Sequence, residues 1–158
     1  MKVLRQGIFE TNSSSTHSLV MKNSNIESDY LPFGDTLKIE FFNEERPLTT
    51  LKEKVSYLVS HIVSWYKYDA EDYEELIRQV RENYDFKRIA SYVEEKFHKK
   101  IVFPKEYKGD LDDIVTINHQ LISWDRDIEE VLQDIVNNDR DYLAEVLNPD
   151  AIIEFGRD

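Results

Sequence analysis

Thr50-Leu51-Lys52-Glu53-Lys54-Val55-Ser56-Tyr57-Leu58-Val59-Ser60-His61-Ile62-Val63-Ser64-Trp65 decides how this chain folds. Its first four residues fit a capping box, in which the Thr50 hydroxyl accepts from the amide three residues on and Glu53 reaches back to the cap. Leu51, Val55, Leu58, Val59 and Ile62 recur at helical spacing, and Tyr57, His61 and Trp65 form an adjacent stripe at i, i+4 and i+8. A helix apolar on two neighbouring stripes is covered on more than one side, so this helix is expected to be the central one.

Downstream, Asp69 can cap a second helix whose Tyr73, Leu76, Ile77, Val80 and Tyr84 share a face. Asp85 can cap a third, with Ile89, Val93 and Phe97 inward. Ile101-Val102-Phe103 before Pro104 reads as a short edge strand, because proline cannot donate to a ladder. Asp113 to Asn118 reads as another strand. Asp125 can cap a fourth helix carrying Ile128, Val131, Leu132, Ile135 and Val136, and Asp139 a short fifth that Asn148-Pro149 stops. Ala151 to Phe155 is a terminal strand.

Upstream, Val3 to Phe9 and His17 to Met21 read as strands around an all-polar turn, Glu10 to Thr16. Asn23 to Gly34 is a loop, and Leu37 to Phe42 alternates as a third strand. The order is strands, three helices, strands, two helices, strand. It predicts an α+β protein, residues 1–158 as a single domain, with one mixed, mainly antiparallel sheet and about five helices packed against it.

Composition narrows the function. At 158 residues and 41% hydrophobic content, the chain is long enough for one core without staples. Zero cysteines remove disulfides, thiolate metal sites and cysteine nucleophiles together. No apolar run reaches membrane-span length, and Met1 to Gln6 lacks the apolar region of a secretory signal, so a soluble protein of the cytoplasm is expected. The net charge of −12 is lopsided: residues 1–22 sum to +2, residues 23–109 to −3 and residues 110–158 to −11. That last third holds 14 acids against Arg126, Arg140 and Arg157. It would repel a phosphate backbone, so direct nucleic-acid binding is not expected, and it would attract a basic protein surface. Asp125, Asp127, Glu129, Glu130 and Asp134, on the expected fourth helix, are the candidate partner contacts. The plainer reading makes these carboxylates a solvated helix face.

Chemistry, if any, concentrates between Arg5 and Ser18. Three consecutive serines, Ser13 to Ser15, follow Asn12, and a loop of that kind can curl into an anion-binding concavity. Arg5, Asn12, Ser13, Ser14 and Ser15 are the candidate ligand-binding residues, with Ser14, His17 and His119 as catalytic candidates. His17 can move a proton near neutral pH, and in a hairpin Arg5 would lie on the neighbouring strand. The stretch has neither phosphate-loop spacing nor a nucleophile elbow, so the competing reading is an ordinary polar turn. His17, His119 and a carboxylate such as Glu10, Glu40 or Asp113 could in principle hold a divalent ion, but no H-x-x-x-H or H-E-x-x-H spacing exists. No metal and no cofactor are expected. His61 reads as a core residue, and His98 sits beside a helix C-terminus, where the dipole favours a cation.

Arg5-x-Gly7-Ile8-Phe9-Glu10-Thr11-Asn12-Ser13-Ser14-Ser15-Thr16-His17-Ser18 resembles the opening of a family of small uncharacterised proteins of phages and prophages of Gram-positive bacteria. Members of that family begin R-x-G-x-F-E-T-N-S-S-S-(S/T)-H-(S/T), and some carry a later D-H-Q-S-like segment. Asn118-His119-Gln120-Leu121 matches that segment in part, departing at Asn118 and Leu121. The opening match covers 14 of 158 residues. The resemblance implies a mobile-element origin and a set of site residues, and it brings no activity with it. Together with the charge, it leads to the expectation of a small acidic accessory protein that binds and inhibits a host protein. The alternative is a ligand-binding protein or enzyme acting on an anionic substrate through the Asn12–His17 loop.

Overall fold

The computed structural model describes residues 2–4, 15–21, 27–43, 46–115, 143–144 and 146–157. The chain is α+β. It divides into two compact units, one of residues 1–31, 45–54 and 118–158, the other of residues 32–44 and 55–117.

The first unit holds a three-stranded antiparallel sheet in the order β1-β2-β5, from Lys2–Leu4, Ser15–Met21 and Ala151–Arg157. β2 is the middle strand, with Leu19 opposite both Leu4 and Ile153. Leu48 continues the ladder beyond β5: its amide donates to the Ile153 carbonyl at 2.9 Å and its carbonyl accepts the Ile153 amide at 3.1 Å. A short helix α1, Glu27–Tyr30, lies inside the stretch expected to be a loop. Leu143, Ala144 and Val146 are helical, and the Leu147 amide closes a helical turn on the Leu143 carbonyl at 2.9 Å. The chain then turns at Asn148-Pro149, where the Asn148 side chain accepts the Asp150 amide and its carbonyl accepts the Ala151 amide. That turn is an Asx motif, the asparagine mimicking a backbone turn. Leu48, Leu51, Leu143, Val146, Leu147, Ala151 and Ile153 are buried.

The second unit holds a separate two-stranded parallel sheet, β3 (Thr36–Lys38) against β4 (Lys100–Val102), and two helices, α3 (Tyr73–Glu82) and α4 (Tyr84–Phe97). Helix α2, Leu51–Tyr66, begins in the first unit and contributes Val55 onward to the second. One mixed, mainly antiparallel sheet with five helices is therefore not what the described residues form. β3 and β4 run parallel, and the long chain between them, which includes α2, α3 and α4, supplies the crossover that a parallel pair needs.

The capping box of α2 is present as read: the Glu53 amide donates to Thr50 Oγ1 at 3.2 Å, and Glu53 Oε1 accepts the Thr50 amide at 3.2 Å. Every residue from Lys54 to Val63 is buried, as a helix apolar on two stripes requires. Two serines break that apolar surface for a reason. Ser56 Oγ accepts the Glu40 amide at 3.0 Å and Ser60 Oγ accepts the Phe42 amide at 2.8 Å. Four residues of helix rise about 6.0 Å and two residues of extended chain about 6.6 Å, so serines at i and i+4 match amides at i and i+2. This explains why the third strand ends early. After the Ile39 amide reaches Val102 at 3.0 Å, the Glu40 and Phe42 amides leave the sheet for the helix.

Two caps differ from expectation. Asp69 lies in the turn after α2, and Asp72 caps α3 by accepting the Glu75 amide at 2.8 Å. Asn83, not Asp85, caps α4 by accepting the Phe86 amide at 3.0 Å, and its Nδ2 donates to the Tyr66 hydroxyl at 2.9 Å. Tyr84 consequently opens α4 and is exposed rather than closing the apolar face of α3. His98 ends α4 with φ of 58°, a left-handed position that a non-glycine residue seldom takes. Asp113 closes a 3-10 turn, Leu111–Asp113, in place of opening a strand, because Asp110 accepts the Asp112 amide.

Candidate functional site

Arg5, Asn12, Ser13, Ser14, His119, Asp125, Asp127, Glu129, Glu130 and Asp134 lie outside the described residues. Ser15 and His17 are placed on the middle strand β2, which begins two residues earlier than expected. His17 is thus the third residue of a strand and not the rim of a turn. Its register partner is Phe155, and that of Ser15 is Arg157. Glu40 and Asp113, both proposed as metal-ligating acids, fall on exposed positions of the second unit. Among the described residues, no three or more of His, Cys, Asp and Glu are grouped to hold a metal ion. Among them also, no helix is long and apolar enough to cross a membrane. His61 is buried with its ring edge-on to Tyr57 at 4.6 Å, as the core reading expects.

Two arrangements were missed from sequence. The first is Lys54, a fully buried lysine in the first unit. Its Nζ donates to the Asn148 carbonyl at 2.8 Å and lies 3.4 Å from the Tyr30 hydroxyl and 4.8 Å from the Tyr30 ring centroid. The Tyr30 hydroxyl in turn donates to the Leu147 carbonyl. Burial disfavours the ammonium form and brings Lys54 down to about 7, while the nearby Asp150 and Glu53 carboxylates oppose the shift. Glu53 itself moves the other way. Burial alone would raise its carboxyl, but hydrogen bonds from Thr49 and Thr50 and the charge of Arg46, 3.4 Å away, bring it below its ordinary value.

The second is a groove in the second unit, about 620 Å³ in volume, between α3 and the segment that leaves β4. Tyr73, Ile77 and Arg81 stand at i, i+4 and i+8 and form one wall; Phe103, Pro104 and Lys105 form the other. The Tyr73 hydroxyl donates to the Pro104 carbonyl at 2.5 Å, tying the walls together. Burial pushes the Tyr73 phenol up to about 12, against the pull of Arg81, so it stays protonated and able to donate at any physiological pH. Arg81 lies over the Phe103 ring at 4.9 Å, and Phe103 also meets Phe86 at 5.4 Å between centroids. The sequence held one signal for this groove: Tyr73 and Ile77 widen the apolar stripe of α3 beyond Leu76 and Val80, the two residues the core fully buries.

No protein-family model, no curated protein and no solved structure matches the chain.

Proposed function

We propose that this chain is a small acidic accessory protein of phage or prophage type that acts in the host cytoplasm by docking on, and inhibiting, a host protein with a basic surface. One observation carries the reading: residues 110–158 hold 14 acids and three bases, so most of the net charge of −12 belongs to that stretch. A concentrated negative field speeds encounter with a cationic surface and selects against anionic partners. Enzymes that handle nucleic acid present such surfaces, and a carboxylate array competes for the same cations. Asp125, Asp127, Glu129, Glu130 and Asp134 are the contacts this reading assigns.

The experiment is capture from host lysate on the tagged chain at about 0.05 M and about 0.5 M salt, across which screening lengths differ roughly threefold. The captured protein is then identified, purified and assayed with and without the chain. Salt-sensitive binding that inhibits the partner and is lost on reversing the five carboxylates supports the reading. Binding that ignores both salt and charge reversal overturns it.

A second reading rests on the register of β2. Arg157 opposite Ser15 brings a cationic residue to the end of the sheet where the serine run enters the strand. A small anion bound by the Asn12–His17 loop would use that residue together with Ser13 and Ser14. Ser14→Ala and His17→Ala then abolish ligand-induced thermal shifts with sugar phosphates or nucleotides; shifts that persist in both variants rule the loop out.

A further inference from the structure

The groove between α3 and the segment Phe103–Lys105 is independent of the acidic last third and of the serine loop. Its features follow from local physical chemistry. Arg78 is engaged by Glu82 at 3.2 Å and by Glu75 at 3.7 Å, so that cation is already neutralised. Arg81 and Lys105 have no carboxylate partner among the described residues. Arg81 is not loose, because its guanidinium is stacked on Phe103, a ring only 5% exposed. A stacked guanidinium keeps its in-plane donors available and loses little freedom on engaging a carboxylate or phosphate. Ile77 and Pro104, both partly exposed, provide apolar surface, Phe103 backs the groove beneath Arg81, and the Tyr73–Pro104 hydrogen bond holds the walls in place before any ligand arrives. The volume lies within the range of small-molecule sites, and apolar walls with a few placed polar groups are the usual make-up of such sites. The lining sets Arg78, Arg81 and Lys105 against Glu74 and Glu82, a balance of +1 on a chain of net charge −12, which favours an anion there over the average of the surface.

We propose that this groove is a binding site for a small organic anion, its apolar ring or chain lying on Ile77 and Pro104 and its carboxylate or phosphate held by Arg81 and Lys105. Glu74, exposed on the rim, sets the selectivity against dianions by repulsion.

The test is a nuclear magnetic resonance titration of the full chain with phenyl phosphate, benzoate, inorganic phosphate and benzyl alcohol. Phenyl phosphate and benzoate are expected to shift the amides of Ile77, Arg81, Phe103 and Lys105 with dissociation constants of about 1 mM or tighter, as fits ligands of that size. Their ratio tells phosphate from carboxylate preference. Arg81→Gln and Lys105→Gln each weaken binding about tenfold, the loss of one charge-assisted hydrogen bond. Glu74→Gln tightens it, and more for phenyl phosphate than for benzoate. These positions are exposed, so an unchanged amide spectrum elsewhere confirms that the variants fold. Equal binding of inorganic phosphate overturns the apolar half of the proposal, and equal binding of benzyl alcohol overturns the anionic half. Amides that stay still at about 20-fold the expected dissociation constant, or variants that bind like the parent, overturn it entirely. An acidic, aromatic-containing peptide that binds where the small anions do not replaces the small-molecule occupant with a protein one.

Discussion

Lys54 is held at a cost that its partners do not require. The Asn148 carbonyl already accepts the Ala151 amide at 2.9 Å, and the Tyr30 hydroxyl already donates to Leu147. Replacing Lys54 with methionine therefore leaves neither group unsatisfied while removing an amine whose burial opposes its charge, and the exchange is expected to be neutral or stabilising. The pH dependence gives the sharper check. The ordinary value of 10.5 falls to about 7 in the folded chain, so between those values the unfolded chain binds more protons. Stability from this group then rises with pH from about 7 to 10.5; below about 7 both forms are protonated and the penalty is constant. Urea midpoints of the parent are expected to climb relative to Lys54→Met across that window, and parallel profiles for the two proteins exclude the assignment. The burial of Lys54 was partly legible, since it stands three residues after Leu51 and four before Leu58, on the same helical face. Its charge disguised that position, because lysine is almost never fully buried without a reason that only the tertiary partners supply.

At the scale of elements, spacing carried furthest where one face alternates with another. Helix α2 and its capping box were legible to the residue, because Thr50 and Glu53 satisfy each other locally. The caps of α3 and α4 were not, because two side chains near each start are able to cap, Asp69 and Asp72 in one case and Asn83 and Asp85 in the other. Asn83 prevails by also reaching Tyr66, a contact between elements far apart in sequence. The same holds for the segment after β3, where alternation cannot tell a sheet ladder from amides donated to a helix. That distinction makes an energetic prediction. Ser60→Ala removes the acceptor of a buried amide, at Phe42, and is expected to cost about 1–3 kcal/mol. Ser56→Ala removes the acceptor of the amide of Glu40, an exposed residue within reach of water, and costs about 1 kcal/mol or less. Urea denaturation of the two variants measures the difference. Equal losses would mean the segment is held by its side chains and not by the serine pair.

At the scale of the molecule, charge is the property the sequence exposes most directly and folding alters least. The two sheets were not legible as two, because β1 and β5 stand at opposite ends of the chain while β3 and β4 are joined through the helices. Strand pairing over such separations depends on tertiary packing that no local window contains. Net charge needs no pairing. At a pI near 4.8 the chain is expected to be least soluble, since self-repulsion vanishes there. Reversing Asp125, Asp127, Glu129, Glu130 and Asp134 to lysine changes five charges by two each and takes the net from −12 to −2. If those carboxylates form a solvated face, far-ultraviolet circular dichroism of the variant matches the parent, while its solubility minimum moves from near pH 4.8 toward neutrality. Turbidity against pH records that shift. The same preparation must then lose salt-dependent binding to the cationic host protein, because attraction of this kind follows the local field and not only the total charge. A control that reverses five exposed acids of the second unit instead, Glu71, Glu74, Glu82, Glu94 and Glu95, gives the same net charge and keeps that binding. Equal loss in both variants would assign the attraction to net charge alone and remove the reason to place the partner on the last third of the chain.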